Sequence, residues 1–224
     1  MEKRVKDKKS VLIIVHGLWK KRLGIRWLDK LIDFFAKELT AGRSIARRDY
    51  HEFADFITAD YDKIELFRWD GKIYPKLDSI PESERLECLL EKYKNYTIDI
   101  LAVSLGGLIV EKTLKYSPIR INKLIYVGAV HKAYSPLKNV DLIINIYSTI
   151  DKMFYFANDV YEGAGNFLLM GENVMNIALR TLKHDELLIN KKLDGEAVKE
   201  PSLYDFYRHV LKRKNAEMRL SGIK

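Results

Sequence analysis

From Ile98 to Val103 the chain carries a nearly unbroken apolar run, Ile98-Asp99-Ile100-Leu101-Ala102-Val103, which ends on Ser104-Leu105-Gly106-Gly107. A run of this kind reads as an interior parallel strand, buried on both faces. The stretch that follows, Leu108 to Leu114, reads as a buried helix. Ser104 therefore stands in a sharp strand-to-helix turn. Small residues lie two positions before it (Ala102) and two after (Gly106), where bulkier side chains would collide. Such a turn lifts one hydroxyl above the end of a sheet, beside the positive end of a helix. A serine in this place is also a common helix N-cap, so the turn alone leaves two roles open.

Further apolar runs supply the rest of a sheet. Val11 to Val15 is one, ending in His16-Gly17-Leu18-Trp19. Leu124 to Val130 is another, ending on His131; Leu142 to Ser148 is followed by Asp151, and Val174 to Leu179 by His184. A strand over Lys63 to Trp69 closes on the turn Asp70-Gly71, with a less regular stretch before it. Between these runs the periodicity predicts helices over Trp27–Leu39, Pro81–Tyr93 and Ser202–Arg213. Pro81 suits a first helical position, Glu82 and Glu84 suit the positive end of the dipole, and Ser202 with Asp205 approximates a capping box. Strands alternating with helices predict one α/β domain over residues 1–224. Its expected form is three α/β/α layers around a mostly parallel sheet, with basic tails at about 1–10 and 214–224. In a parallel sheet the C-terminal strand ends share one edge, where sites gather. Ser104, Asp151, His184 and His131 all fall at that edge.

Ala102-Val103-Ser104-Leu105-Gly106 resembles the nucleophile elbow of the α/β-hydrolases, with alanine in the first glycine position. The His16-Gly17 pair resembles the family's oxyanion loop, and the order serine, acid, histidine resembles its triad order. The resemblance covers most of the chain, from about Val11 to the final helix. It implies a reduced α/β-hydrolase fold without the first antiparallel hairpin, and without an inserted cap, since only about ten residues join His131 to Asp141. It implies a serine hydrolase, esterase- or lipase-like, with Ser104 as nucleophile, His184 as base and Asp151 as orienting acid. The amides of Leu18 and Leu105 would form the oxyanion hole, and Gly17, Trp19 and His131 would contact substrate. His16 is expected to fix its loop and to transfer no proton.

Alternatives stay open on the sequence alone. Asp159 and Glu162 compete with Asp151 for the acid, and His131 competes with His184 for the base. His51 in a polar loop and His209 on a helix read as surface histidines. The apolar residues between Lys152 and Asn173, with a Gly163-Ala164-Gly165 break, read either as a helix on the sheet or as a flap over an acyl pocket. A second class of function is also open: a hydrolase-like fold kept as a binding or interaction module.

Composition bounds these readings. The net charge is +8, but residues 1–9 hold +3 of it and residues 212–224 hold +4, so the body is almost neutral. Charge carried by the chain ends, with no aromatic-basic motif beside it, argues against specific nucleic-acid binding. The cluster Lys20-Lys21-Arg22 with Arg26 allows peripheral contact with an anionic surface. No run reaches membrane-span length, and residues 1–10 lack the apolar core of a secretory signal. One cysteine, Cys88, excludes an internal disulfide and is expected to serve packing in a helix, which together point to the cytoplasm. There is no His-Glu-x-x-His, Cys-x-x-Cys or phosphate-cradling glycine loop, so no metal or cofactor is expected. Absence of glutamine with abundant lysine, glutamate and isoleucine leans towards heat stability. The expected partner is a small-molecule acyl ester; the oligomeric state is open.

Overall fold

The structure is a computed structural model in which residues 8–17, 47–69, 81–132, 137–151, 168–194, 198 and 200–212 are described. The strands are β1 (Ser10–Val15), β2 (Lys63–Phe67), β3 (Thr97–Val103), β4 (Ile121–Val127), β5 (Val140–Ser148) and β6 (Val174–Leu179). The helices are α1 (Arg47–Ile57), α2 (Glu82–Lys92), α3 (Gly106–Tyr116) and α4 (Leu203–Lys212). Short 3-10 turns cover Thr58–Asp60 and His184–Glu186.

The six strands form one sheet in the order β2-β1-β3-β4-β5-β6, and every neighbouring pair is parallel. Parallel strands need crossover connections, and those connections cover both faces. This explains why β1 and β3 are buried over nearly their whole length. On one face Val11, Ile13, Ile100, Leu124 and Tyr126 pack with Leu86 and Leu90 of α2 and Leu108, Ile109 and Leu114 of α3. On the other, Leu12, Ile14, Val103, Ile125 and Ile146 pack with Tyr50, Phe53 and Ile57 of α1 and Leu203, Tyr207 and Leu211 of α4. The layers are therefore α/β/α, as the alternation predicts, and the sheet among the described residues is wholly rather than mostly parallel.

The order reverses between β1 and β3: the chain leaves β1 to one side for β2, then returns to the other side for β3. Ligands of open α/β sheets bind outside the strand ends at such a switch point. Here those two ends carry His16-Gly17 and Ser104.

Several sequence expectations change in the structure. The stretch before β2 holds α1, whose Tyr50, Phe53 and Ile57 bury one face. His51 thus lies on an exposed helix face rather than in a loop. β4 ends at Val127, not Val130, because Gly128 turns the chain at φ 49°, a left-handed conformation that favours glycine. Cys88 is exposed on α2 and takes no part in core packing. The predicted helix over Trp27–Leu39, the cluster Lys20 to Arg26, the rival acids Asp159 and Glu162, and most of the expected flap lie outside the described residues. Among the described residues no helix is long and apolar enough to cross a membrane, and no cluster of His, Cys, Asp or Glu could hold a metal.

Candidate active site

Ser104 is the one non-glycine residue among those described with positive φ, at 51°. A side chain pays for this left-handed geometry, so the surroundings must over-determine it. They do so through its backbone. Its N–H donates to the Val127 carbonyl at 3.3 Å, and its carbonyl accepts from the N–H groups of Gly107 and Val130, both at 3.0 Å. Ala102 is fully buried in the α2/α3-side core, so the methyl that departs from the family's glycine is accommodated by packing. Gly106 tolerates no such addition. A β-carbon there would stand 2.4 Å from the Val15 carbonyl oxygen and 2.7 Å from that of His16, both backbone atoms. Gly106→Ala is accordingly expected to lower the stability by about 3 kcal/mol, the upper range for overpacking. A urea titration should show a lower midpoint with unchanged slope.

The turn brings three side chains from distant positions into one line. His184 Nε2 lies 3.0 Å from Ser104 Oγ, and His184 Nδ1 lies 2.6 Å from Asp151 Oδ2. Asp151 follows β5 and its side chain is fully buried; His184 opens the 3-10 turn after β6 and is a tenth exposed. That turn is pinned from the C-terminal helix. The Tyr207 hydroxyl donates to the Leu187 carbonyl, and the Tyr204 hydroxyl to that of Leu188 at 3.2 Å. Gly128 lies against the same turn, since a β-carbon there would meet Leu187 Cδ1 at 2.6 Å.

Since an aspartate only accepts, the ring proton belongs on Nδ1 and Nε2 presents its lone pair to the serine hydroxyl. Leu105 is the N-terminal cap of α3, and its amide has no hydrogen-bond acceptor among the described residues. It belongs to the positive end of the helix dipole, the place where an anion is favoured. Leu18 and Trp19 lie outside the described residues. Gly17 abuts the nucleophile candidate: a β-carbon on it would meet Ser104 Cβ at 2.6 Å and Oγ at 3.2 Å. The missing side chain is therefore what leaves space beside the hydroxyl.

His16 is an anchor for this loop. Its Nδ1–H donates to the Gly17 carbonyl at 2.5 Å, and its Nε2 accepts from the Trp69 amide at 3.3 Å. The Trp69 indole N–H returns to the His16 carbonyl at 2.7 Å, with the rings stacked 5.7 Å apart. Gly17 N–H in turn donates to the buried Tyr50 hydroxyl at 3.0 Å. Tyr50 and Trp69 were not legible as parts of the site, since each is a single aromatic far from the motif in sequence.

Burial holds the His16 pKa down to about 4. The sign follows: the unfolded chain takes up a proton near pH 6.5 and the folded chain resists it, so stability drops as pH falls below 6.5. The loss is expected to reach about 3 kcal/mol by pH 4. Denaturant titrations at pH 7 and pH 4 would measure it, and a His16→Asn variant should lose this part of the dependence.

His131 is not at the mouth of the site. It is fully buried, with Nδ1 3.0 Å from the Lys132 carbonyl oxygen, Nε2 3.3 Å from Asn145 Oδ1, and its ring 5.3 Å from that of Tyr126. Burial pushes its pKa down. Its placement differs from the substrate contact expected at the end of β4, because Gly128 turns the chain three residues earlier. His209 is an exposed residue of α4, 3.4 Å from Glu200.

No protein-family model and no curated protein matches the chain. Among solved structures it is similar to MenH from S. aureus, at 12% identity and a TM-score of 0.48, with 94% of each chain covered. It is also similar to a predicted CIB-like hydrolase from Thermoplasma acidophilum, at 11% identity and a TM-score of 0.44, over 92% of this chain and 87% of that one. Parallel order, switch point and strained serine elbow together make this a reduced α/β-hydrolase fold.

Proposed function

We propose that this protein is a serine hydrolase that cleaves a carboxylic ester of a small molecule through an acyl-enzyme. The observation that carries the reading is the unbroken contact from Ser104 Oγ through the His184 ring to Asp151, at 3.0 and 2.6 Å. Three residues 47 and 33 positions apart, drawn from three strand ends, meet in a geometry that supports proton transfer from hydroxyl to ring.

The steps follow from the atoms. His184 Nε2 takes the proton as Ser104 Oγ attacks the carbonyl carbon. Asp151 keeps the ring proton on Nδ1 and stabilises the imidazolium while it exists. The Leu105 amide, with that of Leu18 as its expected partner, meets the negative charge on the carbonyl oxygen; each such donor is worth about 3 kcal/mol in comparable sites. His184 then gives its proton to the leaving alcohol. A water molecule, activated by the same nitrogen, releases the acid and restores Ser104.

A fluorophosphonate tests this directly, because it forms a stable bond to an activated serine. Labelling should occur, should map to Ser104, and should vanish in Ser104→Ala. Folded protein that takes up no label would overturn the reading and favour a binding module built on the same fold.

A further inference from the structure

We propose that His131 is a positioning residue for Ser104, held in place by a chain of hydrogen bonds through Asn145 and Asn176; this rests on the reading of Ser104 as nucleophile. Asn145 is the starting point. It is a fully buried amide in β5, among Leu142, Ile143, Ile144 and Ile146. A polar group in such a strand is costly unless its bonds are made.

Those bonds have a fixed direction. The Leu169 N–H donates to Asn176 Oδ1 at 3.0 Å, and Asn176 Nδ2 donates to the Leu169 carbonyl at 2.9 Å. These two contacts set which end of the Asn176 amide is oxygen. The same oxygen accepts from Asn145 Nδ2 at 2.8 Å, which turns Asn145 Oδ1 towards His131. His131 Nε2 faces that oxygen at 3.3 Å and donates to it when the ring proton sits on Nε2 rather than on Nδ1, which lies 3.0 Å from the Lys132 carbonyl oxygen.

His131 follows Val130, and Val130 N–H is one of the donors that hold the Ser104 carbonyl. The Val130 carbonyl also lies against Gly107, where a β-carbon would come within 2.5 Å of it. The segment from Gly128 to His131 thus clamps the strained elbow from outside, and the tie from His131 to β5 keeps that clamp seated. A left-handed serine persists only while such contacts enforce it.

The test uses the full chain, a fluorophosphonate and p-nitrophenyl butyrate. His131→Phe keeps a ring over Tyr126 but cannot donate to Asn145. Phosphonylation at Ser104 and kcat should both slow by roughly ten- to a hundredfold, with KM changed less than about twofold, as expected for a displaced nucleophile. The acid limb of the pH–rate profile should stay where it is, because His184 is untouched. His131→Gln, which can still donate to Asn145, should recover part of the rate. The double variant His131→Phe with Asn145→Leu should be no slower than His131→Phe alone. If His131→Phe does not fold, Asn145→Leu carries the same test. Wild-type rates in either single variant would overturn the proposal while leaving the hydrolase reading intact. A wild-type protein without label would instead remove the hydrolase reading itself. A loss of about a millionfold in His131→Phe, together with loss of the acid limb, would make His131 the base and overturn its positioning role.

Discussion

Ser104→Ala is expected to lower kcat on p-nitrophenyl butyrate about a millionfold, and adding His184→Ala is expected to lower it no further. In the proposed mechanism the hydroxyl and the ring act in one step. Removing Oγ leaves Nε2, now 3.0 Å from a vanished atom, with nothing to deprotonate. Removing the ring leaves a hydroxyl at its ordinary, weakly nucleophilic state. Either loss exhausts the effect, so the two do not add. The residual rate would come from the helix-end amide of Leu105 and from substrate binding. Turnover of the two single variants and the double variant checks the prediction. Additive losses would mean that Ser104 and His184 serve separate steps.

Asp151→Asn is expected to lower kcat by about ten thousandfold with the fold intact. The carboxylate is buried and accepts from His184 Nδ1 at 2.6 Å. An amide of the same shape can turn its NH₂ group to that nitrogen and donate instead. The ring proton then moves to Nε2, which faces Ser104 with a hydrogen in place of a lone pair. The shape is conserved and the tautomer is reversed. Phosphonylation of Ser104 should slow in step with turnover, while the thermal midpoint changes little. An Asp151→Asn variant with near-normal turnover would move the acid elsewhere in the chain.

Much of the sheet is legible because parallel strands are covered on both faces, so β1, β3, β4 and β5 print themselves as apolar runs. Ser104 and Asp151 stand just past two such runs and His184 past the less buried β6, and this is why chain position alone places them on one edge. Helix α1 is hard to read although Tyr50, Phe53 and Ile57 follow helical spacing, because charged residues beside and between them, Asp49, Glu52 and Asp55, mask the stripe. The end of β4 was overrun for a different reason. Val127-Gly128-Ala129-Val130 is apolar throughout, and only the left-handed turn at Gly128 separates strand from loop. The position of His131 follows from that turn. Its inward orientation depends on amides in β5 and β6 that lie 14 and 45 residues away, a relation no local pattern carries. One signal was available: Asn145 interrupts an otherwise aliphatic strand and needed partners from the start.

The pinning of the His184 turn by Tyr204 and Tyr207 has a temporal meaning. During synthesis Ser104 precedes Asp151, His184 follows them, and helix α4, whose tyrosines hold the His184 turn, comes after all three. Until that helix docks, the nascent polypeptide carries these three side chains without the tyrosine contacts that hold the His184 turn. Under the proposed mechanism, the alignment of Ser104, His184 and Asp151 waits on the docking of α4.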